Sequence, residues 1–212
     1  MEPTQIYLVT PRHIDLETFP AQLQAAMDGG DIAALLIDCE TNNDNELQKI
    51  TQTIAPMAQK HDIAVVLRGD SRVAGRTKCD GLHIDGDLTD IQNGAEDYAN
   101  RFMLGAEGGN KRHTAMEIGE SGIDYIMFGR LDAPTMETIH EKSLDMADWW
   151  STLFEVPAVI IGGSDLSECA KVSAMGIEFI ALREAIWDHE AGPQVAVNEA
   201  CTLLAEGAKE QS

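Results

Sequence analysis

Short apolar runs rich in β-branched residues alternate along the chain with longer amphipathic stretches. This alternation is typical of parallel strands that are buried on both faces and joined by helices. Strands are predicted at residues 6–10, 33–38, 63–68, 81–84, 102–105, 125–129, 158–162 and 179–182. Helices are predicted at residues 16–28, 46–60, 114–121, 136–154, 167–174 and 191–209, with a short, weak one at 71–78.

The number and spacing of these segments predict a (β/α)8 TIM barrel. Each strand–helix unit takes about 25 to 30 residues, so eight units fill a chain of 212 residues better than an open doubly wound sheet would. No internal repeat or linker interrupts the pattern. We therefore expect one domain spanning residues 1–212, with 44% hydrophobic residues to fill its core.

Charge and composition narrow the range of partners. The net charge of −21 argues against nucleic acid and anionic membrane, since both require a concentrated basic surface. No apolar run approaches the ~20 residues that span a bilayer and no signal-like segment precedes residue 6, so we expect a cytoplasmic protein with a small-molecule ligand. The four cysteines lack the CxxC spacing of a zinc site. Trp149 and Trp150 are expected in the core or at an interface, which leaves a homodimer open.

Charged residues follow most of the predicted strands. Catalytic groups of this architecture come from the carboxyl ends of strands, so these side chains are expected to meet at one end of the barrel. Such charges must pair with each other, a metal or a ligand, and both a ligand site and a rim of Arg–Asp pairs remain open. The residues expected at this end are Asp38, Asp70, His83, Asp85, Asp87, Arg130, Arg183 and Glu184, with Arg72 as a further ligand-binding candidate.

Two local features add candidate chemistry. Gly162, Gly163 and Ser164 follow the seventh strand and precede a helix, so their N–H groups could hold a phosphate. A tight turn that requires glycine explains the same residues without a ligand. His83 ends the fourth strand and could be a base, a ligand-binding group or a packed core residue.

The order of several short motifs resembles the thiamine phosphate synthase and thiazole tautomerase (TenI-like) family. Residues 79–84, Cys-Asp-Gly-Leu-His-Ile, are similar to the family's fourth-strand motif ADGVHL. Residues 122–129 and 156–163 are similar to GADYIGFG and IPVVAIGG, and residues 6–10 resemble the first strand. Residues 174–181 continue this register into the eighth strand. The resemblance spans nearly the whole chain and implies a TIM barrel of thiamine biosynthesis.

The resemblance also implies a reaction and the residues that would serve it. Family synthases join an aminopyrimidine diphosphate to a thiazole phosphate, with basic residues on the diphosphate and two aspartates on Mg2+. Here Asp38 stands at the position of a diphosphate-binding arginine, and Glu184 at that of a phosphate-binding serine. The magnesium aspartates correspond to Asp70 and Asp87 after one-residue shifts of alignment, with Asp85 as a neighbouring substitute for the second.

Other family positions differ as well. Gly108 and Asn110 replace the serine and histidine of the tautomerase motif, and the family's thiazole-phosphate loop has no counterpart in residues 130–135. The glycines of the seventh strand end remain. Because strand residues alternate, only one of Arg183 and Glu184 can line the mouth. Since Glu184 stands at the position of the family's phosphate-binding serine, we predict that Glu184 points inward and leaves an anion-competent turn without phosphate.

These substitutions favour a divergent member of the family with weakened or lost synthase activity. At an effective dielectric constant of ~20, a carboxylate 4 Å from one phosphate charge costs about 4 kcal/mol before screening. Two alternatives remain: a non-catalytic small-ligand binding or regulatory protein, and a barrel enzyme that acts on another small phosphorylated metabolite.

Overall fold

The strands of the computed structural model, which describes residues 3–41 and 43–210, form a closed parallel barrel in sequence order. β1 pairs with both β2 and β8, and this closes the sheet. The (β/α)8 fold predicted from the apolar runs is confirmed. The strands are β1 Gln5–Val9, β2 Ile32–Ile37, β3 Ala64–Arg68, β4 Gly81–Ile84, β5 Met103–Glu107, β6 Tyr125–Phe128, β7 Ala158–Ile161 and β8 Phe179–Leu182.

Helices follow the strands and cover the outside of the barrel. They are α1 Phe19–Met27, α2 Asp44–Gln59, α3 Ser71–Thr77, α4 Leu88–Tyr98, α5 Arg112–Gly119, α6 Glu141–Leu153, α7 Glu168–Met175, α8 Glu184–Trp187 and α9 Pro193–Glu210. The sequence pattern missed α4 because that helix buries only Ile91, Gly94 and Ala95. Its start is fixed by a capping box between Asp87 and Asp90. The sequence pattern also missed α8, which is a single helical turn.

One predicted helix is wrong over its first residues. The pattern placed a helix at residues 136–154, whereas α6 begins at Glu141. The backbone carbonyls of Met136 and Glu137 accept hydrogen bonds from the N–H groups of Ser164 and Asp165, both at 2.9 Å. These long-range bonds replace helical ones, so residues 129–140 form a connection of turns and irregular backbone, here called the β6–α6 loop.

Apolar side chains form two clusters. The larger cluster lies between the strands and the helices. The smaller one contains alternate residues of the strands, including Tyr7, Leu36, Val66 and Val159, and fills the inside of the barrel. Within the residues that the structure describes, no helix is both long and apolar enough to cross a bilayer.

Candidate functional site

A layer of charged side chains closes the carboxyl end of the barrel above the inner apolar cluster. Asp38 lies two residues after Leu36, and Arg68 lies two residues after Val66. Because side chains of a strand alternate with a period of two, both charged groups face the same way as the apolar residues beneath them. Arg183 follows Ala181 in the same manner. The pleat of the sheet thus brings these residues together at the mouth.

Arg68 is the centre of this layer. Its guanidinium donates to Asp85 from Nε at 2.8 Å and to Asp132 from Nη1 and Nη2 at 2.8 and 2.9 Å. Nη1 also contacts Asp38 Oδ1 at 3.2 Å. Burial lowers the pKa of Arg68, but the hydrogen bonds to Asp132 and Asp85 outweigh it and leave the pKa above its ordinary value. Arg68 is therefore a permanently charged group whose three nitrogens are all engaged by acids.

Asp38 joins Arg68 to a second arginine. Its other carboxylate oxygen accepts a short hydrogen bond from Nη2 of Arg183. The Asp38 and Arg183 side chains are only 12% and 9% exposed. The backbone N–H of Asp38 donates to Thr10 Oγ1 at 3.0 Å, and this fixes the turn after β2. The acid at the position of a diphosphate-binding arginine is thus neutralised by two arginines from β3 and the end of β8.

The prediction that Arg183 turns away from the mouth is wrong. The resemblance placed Glu184 in the mouth, and alternation then turned Arg183 away. Arg183 instead follows the inward-facing Ala181, and because α8 begins at Glu184, alternation stops there and both side chains border the cavity at the mouth. Arg183 turns inward to Asp38, while the Glu184 carboxylate accepts a hydrogen bond from the hydroxyl of Thr135 in the β6–α6 loop.

The three aspartates implied as magnesium ligands have separate partners. Asp70 caps α3 and is paired with Arg72, whose hydrogen bonds lower the pKa of Asp70 to about 2. Asp87 caps α4 through the N–H groups of Thr89 and Asp90. Asp85 is held by Arg68. Across residues 3–41 and 43–210, no group of three His, Cys, Asp or Glu side chains is placed to hold a metal ion.

His83 is buried beneath the charged layer, with 1% of its surface exposed. Its Nδ1 lies 2.8 Å from the hydroxyl of Tyr125, which lies 2.8 Å from the hydroxyl of Tyr7. Among the described side chains, Nε2 of His83 has no hydrogen-bond partner. Burial lowers the pKa of His83 to about 3, and the positive charge of Arg68 adds to this effect. His83 is therefore a neutral, packed group at physiological pH.

This buried imidazole predicts a loss of stability in acid. The unfolded-state pKa is about 6.5, so between pH 6.5 and about 3 the unfolded chain binds a proton that the folded protein rejects. The free energy of unfolding is expected to fall as pH falls, by up to about 1.4 kcal/mol per pH unit from this residue, and to be unaffected by it above pH 7. Urea titrations at pH 7.5, 6.0 and 5.0 measure the slope.

The matched variants are His83→Gln and His113→Gln. His83→Gln is expected to flatten the pH dependence, because glutamine does not titrate. The ring of His113 is exposed, so its replacement is expected to leave the parent's slope unchanged. A parental slope in His83→Gln would show that other groups cause the acid sensitivity.

A cavity of about 580 Å3 lies between the barrel mouth and the β6–α6 loop. Its apolar wall includes Val9, Leu131 and Ile161, and its polar groups come from several loops. A volume of this size fits a small organic molecule. The charged or polar side chains on it include Glu107, Asn110, Arg130, Thr135, Lys142, Arg183 and Glu184. A second, more open cavity of about 570 Å3 is lined by Arg12, His13, Asp38, Cys39, Glu40, Thr41, Arg68, Asp85 and Asp132.

The turn after β7 borders the cavity of about 580 Å3 and is covered by the β6–α6 loop. Ser164 and Asp165 donate their N–H groups to the carbonyls of Met136 and Glu137. A Cβ atom at Gly163 would lie 2.2 Å from the Glu137 carbonyl oxygen, so glycine is needed here for the close approach of two backbones. Two N–H groups that follow the seventh strand are thus already bonded to protein carbonyls.

Contacts from three sides hold the β6–α6 loop in this position. Arg12 donates from Nη2 to the carbonyls of Leu131 and Ala133, at 2.6 and 3.0 Å. The Leu131 N–H donates to Glu107 Oε1 at 2.9 Å. Thr135 is bonded to Glu184. The sequence pattern gave no site role to Arg12 or Thr135, since a side chain that binds a distant backbone carbonyl leaves no local signature.

Comparison with known proteins supports the resemblance seen in the motifs. The profile of the family described as thiamine monophosphate synthase matches residues 6–186. The chain is similar to a thiamine-phosphate synthase of Rhodospirillum centenum, with 30% identity over 198 residues, 93% of this chain and 96% of that protein. It is also similar to one of Erythrobacter litoralis, with 30% identity, 87% of this chain and 89% of that protein.

A solved structure supports the fold independently. A thiamine phosphate pyrophosphorylase from Pyrococcus furiosus superposes with a TM-score of 0.79 and 22% identity, covering 96% of each chain. At this identity the likeness concerns the barrel and not its ligands. The two relatives and the solved structure each cover at least 87% of this chain.

Proposed function

This chain belongs to the thiamine monophosphate synthase family, and from that premise we propose that it is a small-ligand barrel protein of thiamine biosynthesis whose synthase activity is weakened. The observation that carries the proposal is the neutralisation of Arg68 and Arg183 by carboxylates of the chain itself. Basic groups that a diphosphate would need are bonded to acids. The cavity under the β6–α6 loop is the proposed ligand site.

The charge balance of the mouth opposes a diphosphate. Arg68 and Arg183 contact three carboxylates, those of Asp38, Asp85 and Asp132, so this cluster has a net negative charge. An incoming diphosphate would have to displace a carboxylate from an arginine. Asp85 and Asp132 are 51% and 62% exposed and cost little to displace, whereas Asp38 is 12% exposed and would be left partly buried without its partner. Displacing Asp38 costs several kcal/mol. We therefore expect weak binding of the aminopyrimidine diphosphate.

Bound Mg2+ does not offset the negative charge of the mouth in this arrangement. Asp70 is bonded to Arg72, and Asp87 is bonded to backbone N–H groups at the start of α4. A metal would have to compete with both sets of hydrogen bonds. We assign no catalytic step to Mg2+, and the proposed function relies on the residues around the cavity to bind and orient a ligand.

The coupling reaction tests this proposal. Purified protein is incubated with both phosphorylated thiamine precursors and Mg2+, beside a synthase of demonstrated activity. We expect kcat/KM to be at least about tenfold lower, since displacing one arginine–carboxylate pair costs more than the ~1.4 kcal/mol that corresponds to tenfold. Calorimetry with the aminopyrimidine diphosphate measures the binding step alone. Turnover equal to the reference enzyme would refute the weakened activity.

A further inference from the structure

The hydrogen bond between Thr135 and Glu184 connects the middle of the β6–α6 loop to the start of α8. Thr135 directly precedes Met136 and Glu137, whose carbonyls accept from the N–H groups of Ser164 and Asp165. A side-chain contact at Thr135 therefore sets the position of the two carbonyls that follow it in the chain.

We propose that Glu184 is a positioning residue that holds the β6–α6 loop on the turn after β7, and that this loop makes the cavity select ligands without a terminal phosphate. The inference rests on the proposed function in that it takes the cavity as the ligand site. Glu184 acts through Thr135 and not by repelling an anion. The loop carbonyls serve as an internal replacement for phosphate oxygens on the N–H groups of Ser164 and Asp165.

The loop and an anion would compete for the same backbone N–H groups, those of Ser164 and Asp165. Each backbone N–H has one hydrogen to donate, and those of Ser164 and Asp165 are donated to Met136 and Glu137 at 2.9 Å. The carbonyls belong to the same chain, so their effective concentration at the turn is far higher than that of a free anion. A phosphate can use these two N–H groups only after the loop moves away.

The ligand class follows from what the closed loop leaves accessible. The cavity has about 580 Å3, with an apolar wall from Leu131, Pro134 and Met136. The N–H groups of Ser164 and Asp165 are occupied by the loop carbonyls and are not available to an anionic oxygen. The structure thus favours a small, uncharged heterocyclic ligand with a hydrogen-bond donor directed at the loop, over the phosphorylated form of the same ligand.

Two single substitutions separate tethering from charge repulsion. Thr135→Val removes the hydroxyl and keeps the Glu184 charge, whereas Glu184→Gln removes the charge and keeps an oxygen that can accept from Thr135. We expect Thr135→Val to raise the affinity for inorganic phosphate at least about threefold, as for the loss of a hydrogen bond of about 1 kcal/mol, and Glu184→Gln to stay within about twofold of the parent. Isothermal titration with inorganic phosphate measures both.

Amide hydrogen exchange reports the loop directly. Ser164 and Asp165 are expected to exchange faster in Thr135→Val than in Glu184→Gln, because their acceptors move away only in the former. Thermal unfolding of each variant shows whether the fold is retained. As a matched control, Thr152→Val removes an exposed hydroxyl on α6 that bonds to its own helix, and it is expected to leave phosphate affinity unchanged.

The outcomes distinguish this inference from the proposed function. A rise in phosphate affinity in Glu184→Gln, or no rise in Thr135→Val, would refute the proposal that the Thr135–Glu184 hydrogen bond tethers the loop. The titration uses neither thiamine precursor, so it is independent of the coupling rate. Full synthase turnover together with the Thr135→Val gain would refute the proposed function and the exclusion of phosphorylated ligands, and would keep only the tether. Slow turnover without that gain would refute the tether and keep the proposed function.

Discussion

Replacing Asp38 by alanine is expected to lower the free energy of unfolding by about 3 kcal/mol, because two arginines would lose their shared partner. The side chains of Asp38, Arg68 and Arg183 are 12%, 13% and 9% exposed, so water can replace the carboxylate only in part. The two guanidinium groups would then repel each other across the gap. Arg68 keeps Asp85 and Asp132, which limits the loss. Chemical denaturation at neutral pH measures the change.

Controls separate buried pairing from general charge effects. Glu40 lies two residues further along, is 57% exposed and contacts Arg12 at 3.7 Å, so Glu40→Ala is expected to cost about 0.5 kcal/mol or less. The double substitution of Asp38 by Leu and Arg183 by Met replaces the pair with apolar groups and is expected to recover most of the loss. A cost for Asp38→Ala no larger than that for Glu40→Ala would mean that the pairs are solvated and do not close the mouth.

The sequence predicted the place of this cluster but not its partners. Parallel strands put their carboxyl ends at one end of a barrel, so the convergence of strand-end charges followed from the apolar pattern alone. The partners of Asp38 lie 30 and 145 residues away along the chain, and no local pattern pairs them. The sequence left open whether these charges meet a ligand or each other, and the contacts show Arg–Asp pairs.

The loop over the cavity was unpredictable for a related reason. Residues 136–140 contain no glycine or proline to interrupt a helix, so the sequence pattern predicts that they begin α6. Their backbone instead bonds to the turn after β7, where Gly163 has no side chain to obstruct the Glu137 carbonyl. The same nonlocal contact decides whether that turn is open to an anion. The motifs identify the family, whereas the state of the phosphate turn depends on a tertiary contact.

Replacing Gly105 by alanine is expected to destabilise the protein by about 4 kcal/mol, through a clash inside the barrel. A Cβ atom at Gly105 would lie 1.9 Å from Cζ of Tyr125, the ring carbon that bears the hydroxyl. Tyr125 is buried and bonded to both Tyr7 and His83, so its ring cannot move without breaking those hydrogen bonds. Gly75→Ala in α3 is the matched control, because a Cβ there meets the flexible end of Arg101 and alanine favours the helix.

A double-mutant cycle tests whether the Tyr125 ring is the cause. Tyr125→Ala removes the ring and is expected to cost about 3 to 4 kcal/mol by leaving a cavity. Gly105→Ala added to Tyr125→Ala is expected to cost less than about 1 kcal/mol more, because the space occupied by the ring is then free. The two substitutions would thus be strongly non-additive in urea denaturation. Additive costs would show that the cost of Gly105→Ala comes from its own backbone. They would also show that this cost does not come from a clash within the hydrogen-bonded row of Tyr7, Tyr125 and His83.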